Sequence, residues 1–198
     1  MLANASRGNI KIHHLGQSSR EIIRRKITVQ TYIPKKILNY YRPILYKEND
    51  TIISSGDLCC SCSSRSFRIE IVGVIKKRLF RNISLFETSD RTIRMKLYCT
   101  ECENTLELFD SRTDGYDAQS EEKALTVEHS LEDLTWVICL KCHDNQFRVR
   151  VKFEHLPKSE TDQIGIIDYR NAFQWLWIDL ECSSCSRKYV NFLDIETG

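Results

Sequence analysis

The chain has 198 residues, enough for one domain or two small ones, and its hydrophobic share of 41% is slightly low for a large single core. No stretch approaches the roughly 18 to 20 apolar residues of a membrane span, and the opening MLANASRGNIKIHH has no signal-peptide apolar run, so no membrane association is expected and a reducing, intracellular compartment is. The formal charge of +2 is unevenly spread: residues 1–47 hold ten Lys or Arg against one acid, Glu21, a balance of +9, and the remaining 19 basic and 26 acidic residues give −7.

In chain order, residues 1–19 are polar and are expected to be poorly ordered. REIIRRK (20–26) reads as a helical turn or a basic patch. Ile27, Val29, Thr31 and Ile33 alternate as in a short strand. Pro34 suits the first turn of a short helix through PKKILNYY, and Pro43 limits it. The tyrosines here, Tyr32, Tyr40, Tyr41 and Tyr46, read as packing residues or as aromatics interleaved with cations for nucleic acid. Residues 48–57 read as a polar connection.

Phe67, Ile69 and Ile71 alternate with Arg68 and Glu70, a half-buried strand that Gly73 interrupts. Lys76, Lys77, Arg78 and Arg81 cluster at what reads as a solvated hairpin tip. Ile93, Met95 and Leu97 alternate into Cys99. DSRTDGYDAQSEEK, with five acids and two bases and no apolar stripe, reads as an exposed linker. Beyond it, Trp136, Ile138 and Leu140 alternate. Phe147, Val149, Val151 and Phe153 then alternate with Arg148, Arg150 and Lys152, giving one strand a wholly basic outer face. WLWIDL is apolar on both faces at its start and predicts a strand covered on two sides. Tyr189 to Ile195 forms the last strand.

Four Cys-x-x-Cys pairs punctuate these strands: Cys59/Cys62, Cys99/Cys102, Cys139/Cys142 and Cys182/Cys185. Each presents two sulfurs from one tight turn, so four pairs supply two tetrahedral four-sulfur sites. Cys60 is left over, because only Cys59 gives the two-residue gap to Cys62. The flanks repeat as well. SSRSFRIEIV after Cys62 matches HDNQFRVRVK after Cys142, and ENTLELFD after Cys102 matches SRKYVNFLD after Cys185. The first and third pairs start 80 residues apart and the second and fourth 83 apart, the signature of a duplicated unit.

A Cys-x-x-Cys hairpin, a strand-rich middle and a second such hairpin resemble the zinc ribbon class, in two copies over Asp57 to Ile195. The chain departs from that class in lacking a glycine after each second cysteine, where Ser63, Glu103, His143 and Ser186 stand. The resemblance implies a mainly β fold of two tandem zinc-ribbon-like units of antiparallel hairpins. The expected divisions are a basic arm at 1–50, a first unit at 51–110, an acidic linker at 111–124 and a second unit at 125–198.

Two zinc ions are the expected cofactors. Iron in the same ligands and metal-free redox pairs are the alternatives. The 36 and 39 residues separating the pairs within each unit also leave room for first-with-third and second-with-fourth pairing. No histidine completes an open zinc site, and no His-x-Glu, glycine-rich phosphate loop or serine elbow is present, so an enzyme is a minority reading. Contact with DNA or RNA is expected through Arg24, Arg25, Lys26, Lys35, Lys36, Arg148, Arg150 and Lys152. A protein-interaction or scaffold module is the alternative, favoured by the acidic linker and the WLW strand.

Overall fold

In the computed structural model, which describes residues 32–48, 51–80, 83–88, 93–119, 135–163, 165–166 and 168–197, the alternating stretches are antiparallel strands. They are β1 (Tyr41–Glu48), β2 (Thr51–Leu58), β3 (Phe67–Val72), β4 (Val74–Phe80), β5 (Ile83–Thr88), β6 (Arg94–Cys99), β7 (Thr105–Asp110), β8 (Thr135–Trp136), β9 (Phe147–His155), β10 (Phe173–Cys182) and β11 (Lys188–Glu196). β4 and β5 form a separate hairpin, and the other nine join one sheet that curls into a half-barrel.

β9 organises that sheet. One of its edges pairs with β10 along its whole length, and β11 follows β10. Its other edge is divided: β2 takes residues 150–155, and β3 meets it where Phe67 faces Phe147. β1 lies outside β2, and β6 and β7 continue from β3. β8 adds two pairs to β3, Glu70 with Trp136 and Ile71 with Thr135. The two halves of the repeat therefore interleave in one sheet, where tandem units were expected.

The burial of β9 follows its sequence. Phe147, Val149, Val151, Phe153 and His155 face inward, and Arg148 and Arg150 face out. β10 sets Leu176, Ile178 and Leu180 beside them. Phe67, Ile69, Ile71, Met95, Leu97 and Phe109 from the first half fill the same core cluster. Fully burying such a side chain contributes about 1.5–3 kcal/mol. Among the described residues, no strand closes over the outer face of β10. Trp175 and Trp177 are half-buried and stack on each other, ring centres 5.6 Å apart and planes 8° from parallel.

Three local expectations change. The helix through PKKILNYY is a single 3-10 turn, Lys35–Ile37, after which the chain becomes β1. Backbone pairing with β2 decides this, and Pro43 is tolerated because β1 is an edge strand. The polar connection at 48–57 is largely β2, paired on both edges. The acidic stretch from Asp110 begins as a packed turn: Asp114 is buried, accepts the Asp110 backbone N–H at 2.7 Å and holds Lys36. The expected strand at 27–33, the basic patch at 20–26 and the rest of the linker lie largely outside the described residues.

Candidate metal centres

Each site begins with a strand end that delivers a cysteine into a tight turn. In three of the turns the first cysteine donates its backbone N–H five residues on and accepts one from four residues on. Cys99 bonds to Asn104 and Glu103, Cys139 to Asp144 and His143, and Cys182 to Arg187 and Ser186, at 2.7–3.1 Å. The residue after the second cysteine turns left-handed in every case: φ is 72° at Ser63, 58° at Glu103, 61° at His143 and 55° at Ser186. These are the positions where a glycine was missed. A side chain there costs about 1–2 kcal/mol. Apparent binding of about 10–16 kcal/mol for a structural zinc exceeds that several times.

Cys60, Cys62, Cys99 and Cys102 form one cluster and Cys139, Cys142, Cys182 and Cys185 the other, with all ligand atoms in each within 4.8 Å of one another. The closest sulfurs cross between the turns in the same pattern: Cys60–Cys102 and Cys62–Cys99 at 3.5 Å, Cys139–Cys185 at 3.6 Å and Cys142–Cys182 at 3.4 Å. A tetrahedron with zinc–sulfur bonds of 2.3 Å has edges of about 3.8 Å, so both clusters fit a metal of that size. The first pair joins the second and the third joins the fourth. Both clusters resemble structural zinc sites and agree with a zinc-ribbon-like motif.

The first site departs from the expected ligand set. Cys60 occupies the position assigned to Cys59. The Cys59 sulfur lies 3.6 Å from the Cys60 carbonyl, outside the cluster. The turn explains the change, because it is one residue shorter than the other three. Cys60 donates its N–H to Ser64 and accepts from Ser63, both at 2.8 Å. Cys59 instead donates its N–H to Tyr40 at 2.7 Å, continuing the β1–β2 ladder.

Backbone donors prepare the sulfurs. Burial alone would push Cys99 up, but the N–H groups of Cys102 and Glu101 and the Cys62 and Cys102 thiols bring it down to about 6. Burial is likewise outweighed at Cys139 by the Tyr189 hydroxyl and the Cys142 and Lys141 N–H groups, again giving about 6. Tyr189 was not among the expected site residues. Its hydroxyl accepts the Leu140 N–H at 2.9 Å and donates to the Cys139 sulfur at 3.2 Å, a contact that sequence spacing alone does not reveal. Ser66 and Ser183, also unforeseen, join the two sites through a 3.0 Å hydroxyl contact.

The cations expected to meet phosphate are placed differently. Lys35 pairs with Asp168 at 3.3 Å, and Lys36 with Asp114 and with Glu107 at 3.8 Å. Arg148 pairs with Glu181 at 3.5 Å and Arg150 with Asp57 at 2.7 Å. The Lys152 ammonium sits 4.2 Å from the centre of the Trp177 ring. All five therefore have partners within the protein. Arg24, Arg25 and Lys26 lie outside the described residues.

No family model, curated protein or solved structure matches this chain.

Proposed function

We propose that the chain is a non-enzymatic binding protein whose fold is held by two structural zinc ions and whose partner is another protein. The observation that carries this is the closure of both clusters. Four cysteine sulfurs meet zinc's tetrahedral preference and leave no position for water or substrate, so the metal's task is to fix the turns. A protein partner is favoured over nucleic acid because four of the five described cations expected to meet phosphate are already paired with Asp57, Glu181, Asp168 or Asp114.

A second reading keeps nucleic acid, through the basic arm and not the β9 face. Its support is the +9 balance of residues 1–47, which include Arg24, Arg25 and Lys26. Contact of that kind releases counterions and weakens as salt rises.

Elemental analysis of reduced protein should give about two zinc ions per chain. Absence of metal from freshly reduced, non-chelated protein would remove the zinc reading. Mobility titrations against single- and double-stranded DNA and RNA at two salt concentrations separate the two partners. Salt-sensitive binding at micromolar protein would move the conclusion to nucleic acid.

A further inference from the structure

Two depressions meet on the outer face of the sheet at its metal-bearing end. The larger, about 730 Å³, reaches across β9 and β10 to Lys188 and Val190 on β11. The smaller, about 180 Å³, runs over β2 to Arg42 and Ile44 on β1. They share Asp57, Arg65 and Arg150, so together they form one groove crossing five strands. At about 4.8 Å per strand its span is roughly 19 Å, the reach of about six extended residues.

The charges in this groove do not cancel. Its cations are Arg42, Arg65, Arg148, Arg150 and Lys188 and its acids are Asp57, Asp179 and Glu181, an excess of two positive charges. The acids are engaged. Asp57 holds Arg150, Glu181 lies 3.5 Å from Arg148 and 3.9 Å from Lys188, and Asp179 accepts the Asn191 N–H at 2.7 Å. Among the described residues, Arg42 and Arg65 have no ion-pair partner, and both line the smaller depression.

The groove's ends are apolar. Of the exposed large hydrophobic side chains among the described residues, the two most exposed are Ile44 at 74% and Val190 at 69%, one at each end. A nucleic acid strand gains little from them. It also needs aromatic platforms for its bases. The one aromatic lining the groove, Tyr189, is buried and bonded to the Cys139 sulfur and the Leu140 N–H. An extended peptide satisfies both features: aliphatic side chains cover Ile44 and Val190, and carboxylates form two-pronged pairs with guanidinium groups.

Resting on the protein-partner reading above, we propose that this groove docks an extended segment of a partner protein carrying both aliphatic and acidic side chains, with Arg42 and Arg65 receiving its carboxylates. The test uses the full zinc-loaded chain and fluorescein-labelled octapeptides in which Val alternates with Glu, Gln or Lys, followed by fluorescence anisotropy. The Glu peptide should bind most tightly, the Gln peptide about tenfold more weakly and the Lys peptide not measurably. The Arg42→Gln/Arg65→Gln variant should keep its zinc and lose about tenfold in affinity for the Glu peptide. Equal binding of the Glu peptide by wild type and by this variant would overturn the groove while leaving a protein partner in place. No binding of any peptide by wild type also overturns it. If an eight-nucleotide oligo-dT bound more tightly than the Glu peptide and lost affinity in the same variant, the protein-partner reading would fail as well.

Discussion

Cys59 and Cys60 are adjacent and both buried, yet only Cys60 reaches the cluster. Spacing pointed to Cys59 because three turns are Cys-x-x-Cys. A strand that carries its ladder one residue further, through the Cys59 N–H to Tyr40, shortens the first turn to Cys-x-Cys. Seven of the eight clustered cysteines were legible from the sequence, because paired thiols are a local pattern. The eighth depended on a hydrogen bond from another strand. Cys60→Ser should therefore release one of two metal ions and Cys59→Ser neither, measured by elemental analysis. Equal metal loss in both variants would return Cys59 to the site.

His155 is a second case where a residue's role depends on distant neighbours. It ends β9, and the fold encloses its ring among Tyr32, Phe153, Tyr169 and Phe173. Its Nε2 lies 3.3 Å from the Arg170 carbonyl, and its Nδ1 is buried without a hydrogen-bond partner. Burial dominates and lowers its pKa from 6.5 to about 4, so the folded protein keeps this ring neutral where the unfolded chain protonates it. The unfolded state then binds more protons between those values. Stability is fully present above pH 6.5 and should fall by about 3 kcal/mol as pH drops toward 4. Denaturant midpoints across that range should fall less steeply for His155→Gln than for wild type, and parallel slopes would refute the assignment.

Among the elements, β9 was the most legible, because one of its faces is apolar and the other charged at strict two-residue spacing. β2 was not, because TIISSGDL is largely polar and its place is set by partners on both edges. Gly56 explains part of that sequence. A Cβ built there would lie 2.4 Å from the Arg42 carbonyl oxygen and 2.9 Å from the Pro43 Cα, both backbone atoms of β1. Neither can rotate away. Gly56→Ala should therefore push β1 off β2 and cost about 1–3 kcal/mol, as overpacking does. Hydrogen exchange should show β1 amides losing protection while β10 and β11 keep theirs. Unchanged β1 protection would show that the two strands accommodate the methyl group without separating.

At the scale of the whole molecule, the repeat was visible and its consequence was not. Two similar units can stand side by side or share strands, and flanking alternation reads the same in both cases. Here Phe67 faces Phe147, β2 pairs with β9, and Ser66 touches Ser183, so the halves are joined at the core, the sheet and the cysteine-bearing turns. Such joining predicts one unfolding transition. Trp175 and Trp177 lie on β10 of the second half, whereas Trp136 pairs with Glu70 of β3 and its ring lies 5.3 Å from that of Tyr98, so in a Trp136→Phe background the fluorescence reports on the second half. Cys99→Ala removes a ligand from the first cluster only. The expected result is a loss of more than about 4 kcal/mol, the range reached when a metal site fails. Tryptophan fluorescence and far-ultraviolet circular dichroism should move together to the same lower denaturant midpoint. A fluorescence midpoint that stayed at the wild-type value, with the dichroism split into two steps, would mean that the second cluster and its strands fold without the first.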